Sequence, residues 1–240
     1  MSDLFGTGCP TGGATPPRPL ADRLRPTRLS EVVGQSHLLE GDGPLCRLAR
    51  KPANAVLWGP PGVGKTTLAR LLATESGLHF EQVSAIFSGV AELRKIFAAA
   101  EARRSTGTLL FVDEIHRFNR AQQDAFLPHM ESGFFFNDAA TTENPSFALN
   151  GALLSRAEVL RLERLDGTAL NALLARAEAL EGPLPLEDEG RAALVSLADG
   201  DGRALLNLAE KLFSLGGGPH GAGAVERLLT RRVPLHDRAG

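Results

Sequence analysis

The residues Ala55-Val56-Leu57-Trp58 form a short apolar run. It leads into Gly59-Pro60-Pro61-Gly62-Val63-Gly64-Lys65-Thr66-Thr67, and a helical run from Leu68 to Thr74 follows. This is the pattern G-x-x-x-x-G-K-[ST] with a strand before it and a helix after it, the context in which the pattern carries a mechanism. The glycines let backbone N–H groups turn inward around a phosphate, and the start of the helix adds the positive end of its dipole at the same point. Lys65 would reach the β- and γ-phosphates of a nucleotide, and the Thr66 hydroxyl would ligate Mg2+. Residues Gly59, Pro60, Pro61, Gly62, Val63, Gly64, Lys65, Thr66 and Thr67 are therefore the expected phosphate cradle.

The rest of the chain fits around such a loop. Strands are predicted over Ala53–Trp58, Phe80–Ser84, Thr108–Val112, Phe134–Ala140 and Val159–Leu162, with a helix over Val90–Arg103 and another over Ala121–Met130. Strands alternating with helices predict an α/β fold with a parallel sheet flanked by helices. From Leu29 to Leu39 the pattern predicts one short helix with Ser30 as its N-cap. After Asp166 the strand pattern stops, and Thr168–Leu180, Glu187–Ala198 and Arg203–Leu215 read as amphipathic helices, with the start of another over Val225–Arg232. The expected division is a disordered Gly/Pro/Thr-rich tail over 1–18 and an α/β domain over 19–165. A small all-helical domain over 166–220 and a truncated helical region over 221–240 follow.

Charge and composition narrow the partners. A net charge of −2 gives no global basic field, so contact with nucleic acid must be local. Cys9 and Cys46 make neither a disulfide framework nor a zinc site, and the six histidines show no paired ligand spacing. No metal is expected beyond Mg2+ with nucleotide. No stretch approaches the roughly 20 apolar residues of a membrane span, and the first residues lack a signal-peptide pattern. A cytoplasmic location is the expectation.

The run Leu109-Leu110-Phe111-Val112 ends in Asp113-Glu114. A phosphate loop needs a partner strand that supplies a Mg2+-orienting carboxylate, which fits Asp113. Glu114 is placed to polarise an attacking water as general base. Thr141-Thr142-Glu143-Asn144 closes a further strand, and Ser155-Arg156 follows the next short helix. On chemistry alone these last two are ordinary turn and surface residues.

Together these motifs resemble the AAA+ ATPases of the clamp-loader branch, P-loop NTPases with a helical lid. Pro19-Leu20-Ala21-x-Arg23-x-Arg25-Pro26, Val33-Gly34-Gln35-x-His37-Leu38-Leu39 and Asp113-Glu114-Ile115-His116-Arg117-Phe118-Asn119 narrow the match. So do Gln122-Gln123-Asp124-Ala125-Phe126-Leu127-Pro128-His129 and Ala140-Thr141-Thr142-Glu143-Asn144-Pro145-Ser146-Phe147. All of them resemble the bacterial replication-associated recombination protein A family (RarA, also MgsA), over roughly residues 19–238. The resemblance implies ATP and Mg2+ as cofactors, with Thr66 and Asp113 holding the metal. It implies that Asp113 and Glu114 are the Walker B pair, that Thr142 is at the sensor 1 position, and that Arg156 is an arginine finger acting on a neighbouring subunit. It places Arg203, in Gly200-Asp201-Gly202-Arg203, as sensor 2 acting in cis, and Val33, Gly34 and Gln35 around adenine. It also implies a DNA-dependent ATPase of replication, recombination and repair at stalled forks. Such a protein is a homotetramer that binds single-strand/duplex junctions and contacts single-strand DNA-binding protein. Asp3-Leu4-Phe5 resembles the end of the short peptides that bind the bacterial sliding clamp.

Two departures stand out. The family continues past Arg231-Arg232-Val233-Pro234 into further helices and an oligomerisation domain, so the sequence reads as a fragment, expected to be monomeric and to bind DNA weakly. The family also has an apolar pair where this chain has Asn137-Asp138, in a strand expected between the phosphate-loop and Walker B strands. Polar groups there cost about 1–3 kcal/mol each if unpaired, which implies either a misplaced sensor 1 or an error in the sequence. An alternative function is an ATP-dependent scaffold or switch with negligible turnover. A kinase on the same loop is disfavoured by the water-activating Glu114.

Overall fold

The computed structural model describes residues 18–132, 135–215 and 217–230. The Asp3-Leu4-Phe5 peptide, the rest of the tail up to residue 17, Phe134 and the Arg231–Pro234 segment lie outside the described residues.

The chain enters through α1 (Leu20–Arg23), a 3-10 turn at Leu29–Glu31, α2 (Ser36–Leu39) and α3 (Pro44–Arg50). There follow β1 (Ala55–Trp58), α4 (Lys65–Glu75), β2 (His79–Ser84), α5 (Val90–Ala102) and β3 (Thr108–Asp113). A second 3-10 turn, Ile115–Arg117, precedes α6 (Arg120–Asp124), α7 (Leu127–Met130), β4 (Phe135–Thr141), α8 (Pro145–Ala148), α9 (Gly151–Leu154) and β5 (Glu158–Arg161). Among the described residues, the elements after that are helices: α10 (Gly167–Glu181), α11 (Asp188–Ala198), α12 (Gly202–Leu215) and α13 (Ala222–Thr230). A single β-bridge, Leu186 to His220, joins two of their connections.

The five strands are all parallel, in the order β2-β3-β4-β1-β5. Parallel strands covered on both faces read as continuous apolar runs, and β3 is buried from Thr108 to Val112. Alternate residues of the strands feed two separate cores. Leu57, Leu109, Phe111 and Ala140 face α3 and α4, while Val56, Leu110, Val112 and Ala139 face α5 and the segments around Phe118 and Phe126. The helices after Asp166 pack a third core around Leu174, Leu194, Leu205 and Leu212, to which α1 contributes Leu20.

β4 lies between β1 and β3, as the family resemblance implied. Asp138 pairs in register with Ala55 on one side and Phe111 on the other. It is buried, and neither carboxylate oxygen has a hydrogen-bond partner. The strand nevertheless stays in register through Ala139 with both neighbours, so the polar residue is accommodated without a slip.

Two expected helices are interrupted. The single helix over Leu29–Leu39, capped by Ser30, is instead a 3-10 turn and α2 separated by extended residues, and Ser30 lies inside the turn. Gly34 at φ +75° is the point where a helix cannot continue. The helix over Ala121–Met130 is split into α6 and α7. Pro128 sits in the first turn of α7, where its missing N–H costs nothing, and a longer helix would have needed that donor.

Candidate nucleotide site

The phosphate loop turns between β1 and α4 on two left-handed glycines, Gly62 at φ +70° and Gly64 at φ +100°. An L side chain at either position would be strained. No side chain caps the N-terminus of α4, so its first N–H groups and the positive end of its dipole are presented at the loop. Lys65 opens the helix and is buried. Its Nζ donates to Gly59 O at 2.7 Å and Pro60 O at 2.8 Å. Burial pulls its ammonium below the usual lysine range, while Glu114 and Asp113 hold it up. A lysine this close to two carboxylates and a helix N-terminus is poised for a polyanion.

A cleft of about 560 Å3 opens at this point. Three distant parts of the chain line it. The loop and α4 contribute Pro61 to Leu68, including Lys65, Thr66 and Thr67. The end of β3 contributes Asp113 and Glu114, and α12 contributes Gly202, Arg203 and Asn207. The N-terminal segment closes a further side with Asp22, Arg25, Val32 and Val33. Arg25 donates to Thr67 Oγ1 at 3.2 Å and to Asp22 Oδ1 at 2.6 Å. The loop is also joined to α12 directly: Gly202 N–H donates to Gly62 O at 3.2 Å, and a Cβ on Gly62 would collide with the Asp201 carboxylate.

Glu114 adopts left-handed backbone angles, φ 54° and ψ 44°, a strained conformation for a residue with a side chain. Thr142 Oγ1 donates to its Oε2 at 3.4 Å. Gly59, Pro60 and Thr142 do not line this cleft but a separate, open recess, with Arg161 and Arg164.

The site residues expected around adenine separate. Val33 lines the cleft, but Gly34 and Gln35 do not. Gly34 packs against Leu165 and Ala169, and fully buried Gln35 exchanges two hydrogen bonds with the backbone of Glu163. The two residues bind the entry segment to the chain between β5 and α10. Arg156 is also outside the cleft: its Nε is 2.7 Å from Glu131 Oε1, and its Nη1 donates to Ala152 O.

The residues that sequence reasoning did not single out are Arg25, Asp22, Asn207 and His116. The first three reach the cleft only through tertiary packing. His116 was visible in the sequence next to the acidic pair, but its partners lie on β4 and just after it. Its buried ring stands with Nδ1 3.0 Å from Thr141 Oγ1 and Nε2 3.3 Å from Glu114 Oε2.

Comparison with known proteins agrees with this geometry. The AAA family, ATPases associated with various cellular activities, matches residues 55–164. Replication-associated recombination protein A of Coxiella burnetii is 44% identical over 239 residues, covering 92% of this chain and 53% of that protein. The protein of the same name from Escherichia coli is 46% identical over 208 residues, covering 82% and 46%. The chain is a homologue of replication-associated recombination protein A and carries an AAA domain. It spans about half the length of the curated relatives it matches. Among solved structures, the Thermotoga maritima RuvB Holliday junction branch migration motor superposes with a TM-score of 0.69 at 25% identity, over 86% of this chain and 72% of that one. The AAA domain includes the loop, β3 with its acidic end, and β4 and β5. Among the described residues of this homologue, no helix is long and apolar enough to cross a membrane. Among the same described residues, no cluster of three or more His, Cys, Asp or Glu stands ready to hold a metal alone.

Proposed function

We propose that this chain binds Mg-ATP in the cleft and hydrolyses it to ADP and phosphate, as an AAA+ ATPase of the clamp-loader branch. The observation that carries the reading is convergence: Lys65, the Asp113-Glu114 pair and Arg203 reach one cleft from three separate segments. The residues fit the cofactor chemically. The uncapped start of α4 and the left-handed glycines suit a polyphosphate, and a hydroxyl and a carboxylate, Thr66 and Asp113, suit a hard cation that prefers oxygen ligands. Bound Mg2+ would neutralise charge on the β- and γ-phosphates. Lys65 would hold the same phosphates, Glu114 would take a proton from water, and Arg203 would add positive charge from α12 in cis. We assign α10 to α13 as the lid, Thr142 as sensor 1, and Arg156 as the finger for a neighbouring copy.

The test is a pair of substitutions. Lys65→Ala should abolish nucleotide binding in a titration, and Glu114→Gln should keep binding while turnover falls by about 10²–10⁴. Unchanged affinity in Lys65→Ala would remove the site assignment.

We further propose that the substrate is DNA at stalled replication forks, with single-strand DNA-binding protein as a partner, in a cytoplasmic homotetramer of the longer protein. The rim formed by the C-terminal ends of the strands supports contact with single strands. It exposes Ile86 and Phe87 after β2, and Phe147 on α8 after β4, with exposed Arg94 and Lys95 on α5 and Arg117 and Arg120 after β3. Exposed aromatic rings among cations suit stacking on unpaired bases. Stimulation of ATPase by forked DNA, lost in Phe87→Ala, would support this role. Absence of any DNA effect in a chain that turns over ATP would favour the second reading, a nucleotide-dependent switch, which the buried Asp138 in the sensor strand also favours.

A further inference from the structure

His116 is a buried imidazole placed between two carboxylates and a hydroxyl. Its side chain is 4% exposed. Nδ1 is 3.0 Å from Thr141 Oγ1, and Nε2 is 3.3 Å from Glu114 Oε2 and 3.5 Å from Glu143 Oε1. Thr141 is itself fixed, since its Oγ1 accepts from the Glu143 N–H at 3.1 Å and lies 3.2 Å from Glu143 O. Ionised carboxylate oxygens only accept hydrogen bonds, so the nitrogen that faces them must carry a proton. Thr141 can meet Nδ1 as donor or as acceptor, and in either case a proton on Nε2 faces the two carboxylates at ion-pair distance.

Glu114 needs such a restraint. It sits in a strained left-handed conformation at the end of β3, its side chain is 27% exposed, and its other contact is the long one from Thr142. A carboxylate that must meet one water in one place loses rate when its side chain wanders. His116 does not line the cleft itself. From this geometry we propose that His116 is a positioning residue. Its Nε2–H holds the Glu114 carboxylate, and its Nδ1 ties that carboxylate to Thr141 at the end of the neighbouring strand. The proposal rests on reading Glu114 as the general base of an ATPase site. It extends that reading, because it makes the aim of the base depend on where the end of β4 stands.

The 240-residue chain itself serves for the test. His116→Phe keeps an aromatic ring in the space and removes the donor, whereas His116→Gln restores an N–H donor on a flexible stem. His116→Phe should lower kcat by about tenfold to a hundredfold with little change in nucleotide affinity or KM, and His116→Gln should recover most of it. Wild-type turnover in His116→Phe, or equal losses in both variants, would overturn the proposal in favour of simple packing. A second measurement does not depend on turnover. In the 15N spectrum of imidazole-labelled chain, Nε2 of His116 should read as protonated and shift in Glu114→Gln. An unprotonated Nε2, or one indifferent to Glu114→Gln, would overturn the proposal even if no Lys65-dependent ATPase were found. Protonation and shift without any such ATPase would instead keep the contact and reject the general-base reading.

Discussion

Asp138 is a carboxyl group in the middle of a parallel sheet, with Phe111 and Ala55 as its strand neighbours. Burial pushes it up to about 8, and the nearby Ala55 backbone N–H, which falls short of a hydrogen bond to either oxygen, offsets only part of that. The core therefore accepts the protonated form. An unfolded chain releases this proton near pH 4, whereas the folded chain keeps it until about pH 8. Stability from this residue is greatest below pH 4, falls as pH rises through the window, and is level above it. The loss across the window is on the order of 5 kcal/mol. Asp138→Val should remove the slope and raise Tm at pH 8 by roughly 10–20 °C. Thermal unfolding of both chains from pH 5 to pH 9 checks this, and parallel pH profiles would refute it. The polar pair was legible in the sequence as a departure from an apolar pattern. The sequence could not tell that the Asp138 oxygens would find no partner, because that depends on what α3 and α4 bring to the same face.

At the scale of elements, the phosphate loop and the start of α12 form one unit. The Gly62 carbonyl accepts from Gly202, and its missing side chain leaves room for Asp201. Asp201 in turn caps α12 by accepting from the Ala204 N–H at 2.8 Å. Gly62→Ala should therefore strain the left-handed turn and displace Asp201, while Gly64→Ala strains the turn alone, since a Cβ there meets nothing. We expect each to destabilise the chain by about 1–2 kcal/mol through backbone conformation. Gly62→Ala should lose more, with α12 loosened in hydrogen exchange. Equal protection of α12 in the two variants would contradict the coupling. The strands and longer helices were legible because apolar runs and helical spacing are local signals, as β3 and α5 illustrate. The breaks at Gly34 and Pro128 were missed because short apolar runs carry helical spacing across a turn. The Gln35 contact with Glu163 and the His116 contact with Thr141 join residues far apart in sequence, and only the assembled sheet brings them together.

For the whole molecule, the position of Arg156 sets the question of assembly. It is held by Glu131 and Ala152 and is absent from the cleft, so any action on ATP must be on another copy. In a chain extended to the length of its relatives, Arg156→Ala and Lys65→Ala should each be nearly inactive alone. A mixture should regain part of the activity, because some interfaces then pair an intact loop with an intact finger; such a finger contributes about 10³–10⁵ in rate. No recovery in a verified mixed oligomer would return Arg156 to a structural role.

The contact between Gly202 and Gly62 also bears on how the chain melts. The α/β layers and the later helices have separate cores, and the cleft has walls from both. A molecule seated there acts as a strut. Whatever it gains in binding is lost when either half opens, so two melting events are drawn toward one. At a hundredfold excess over Kd this is worth about 2.7 kcal/mol. Calorimetry should then show a sharper, later transition with Mg-ATP than without it, and Lys65→Ala should erase the difference. In mechanical terms, a nucleotide seated there would be a cross-brace between the two walls of the cleft.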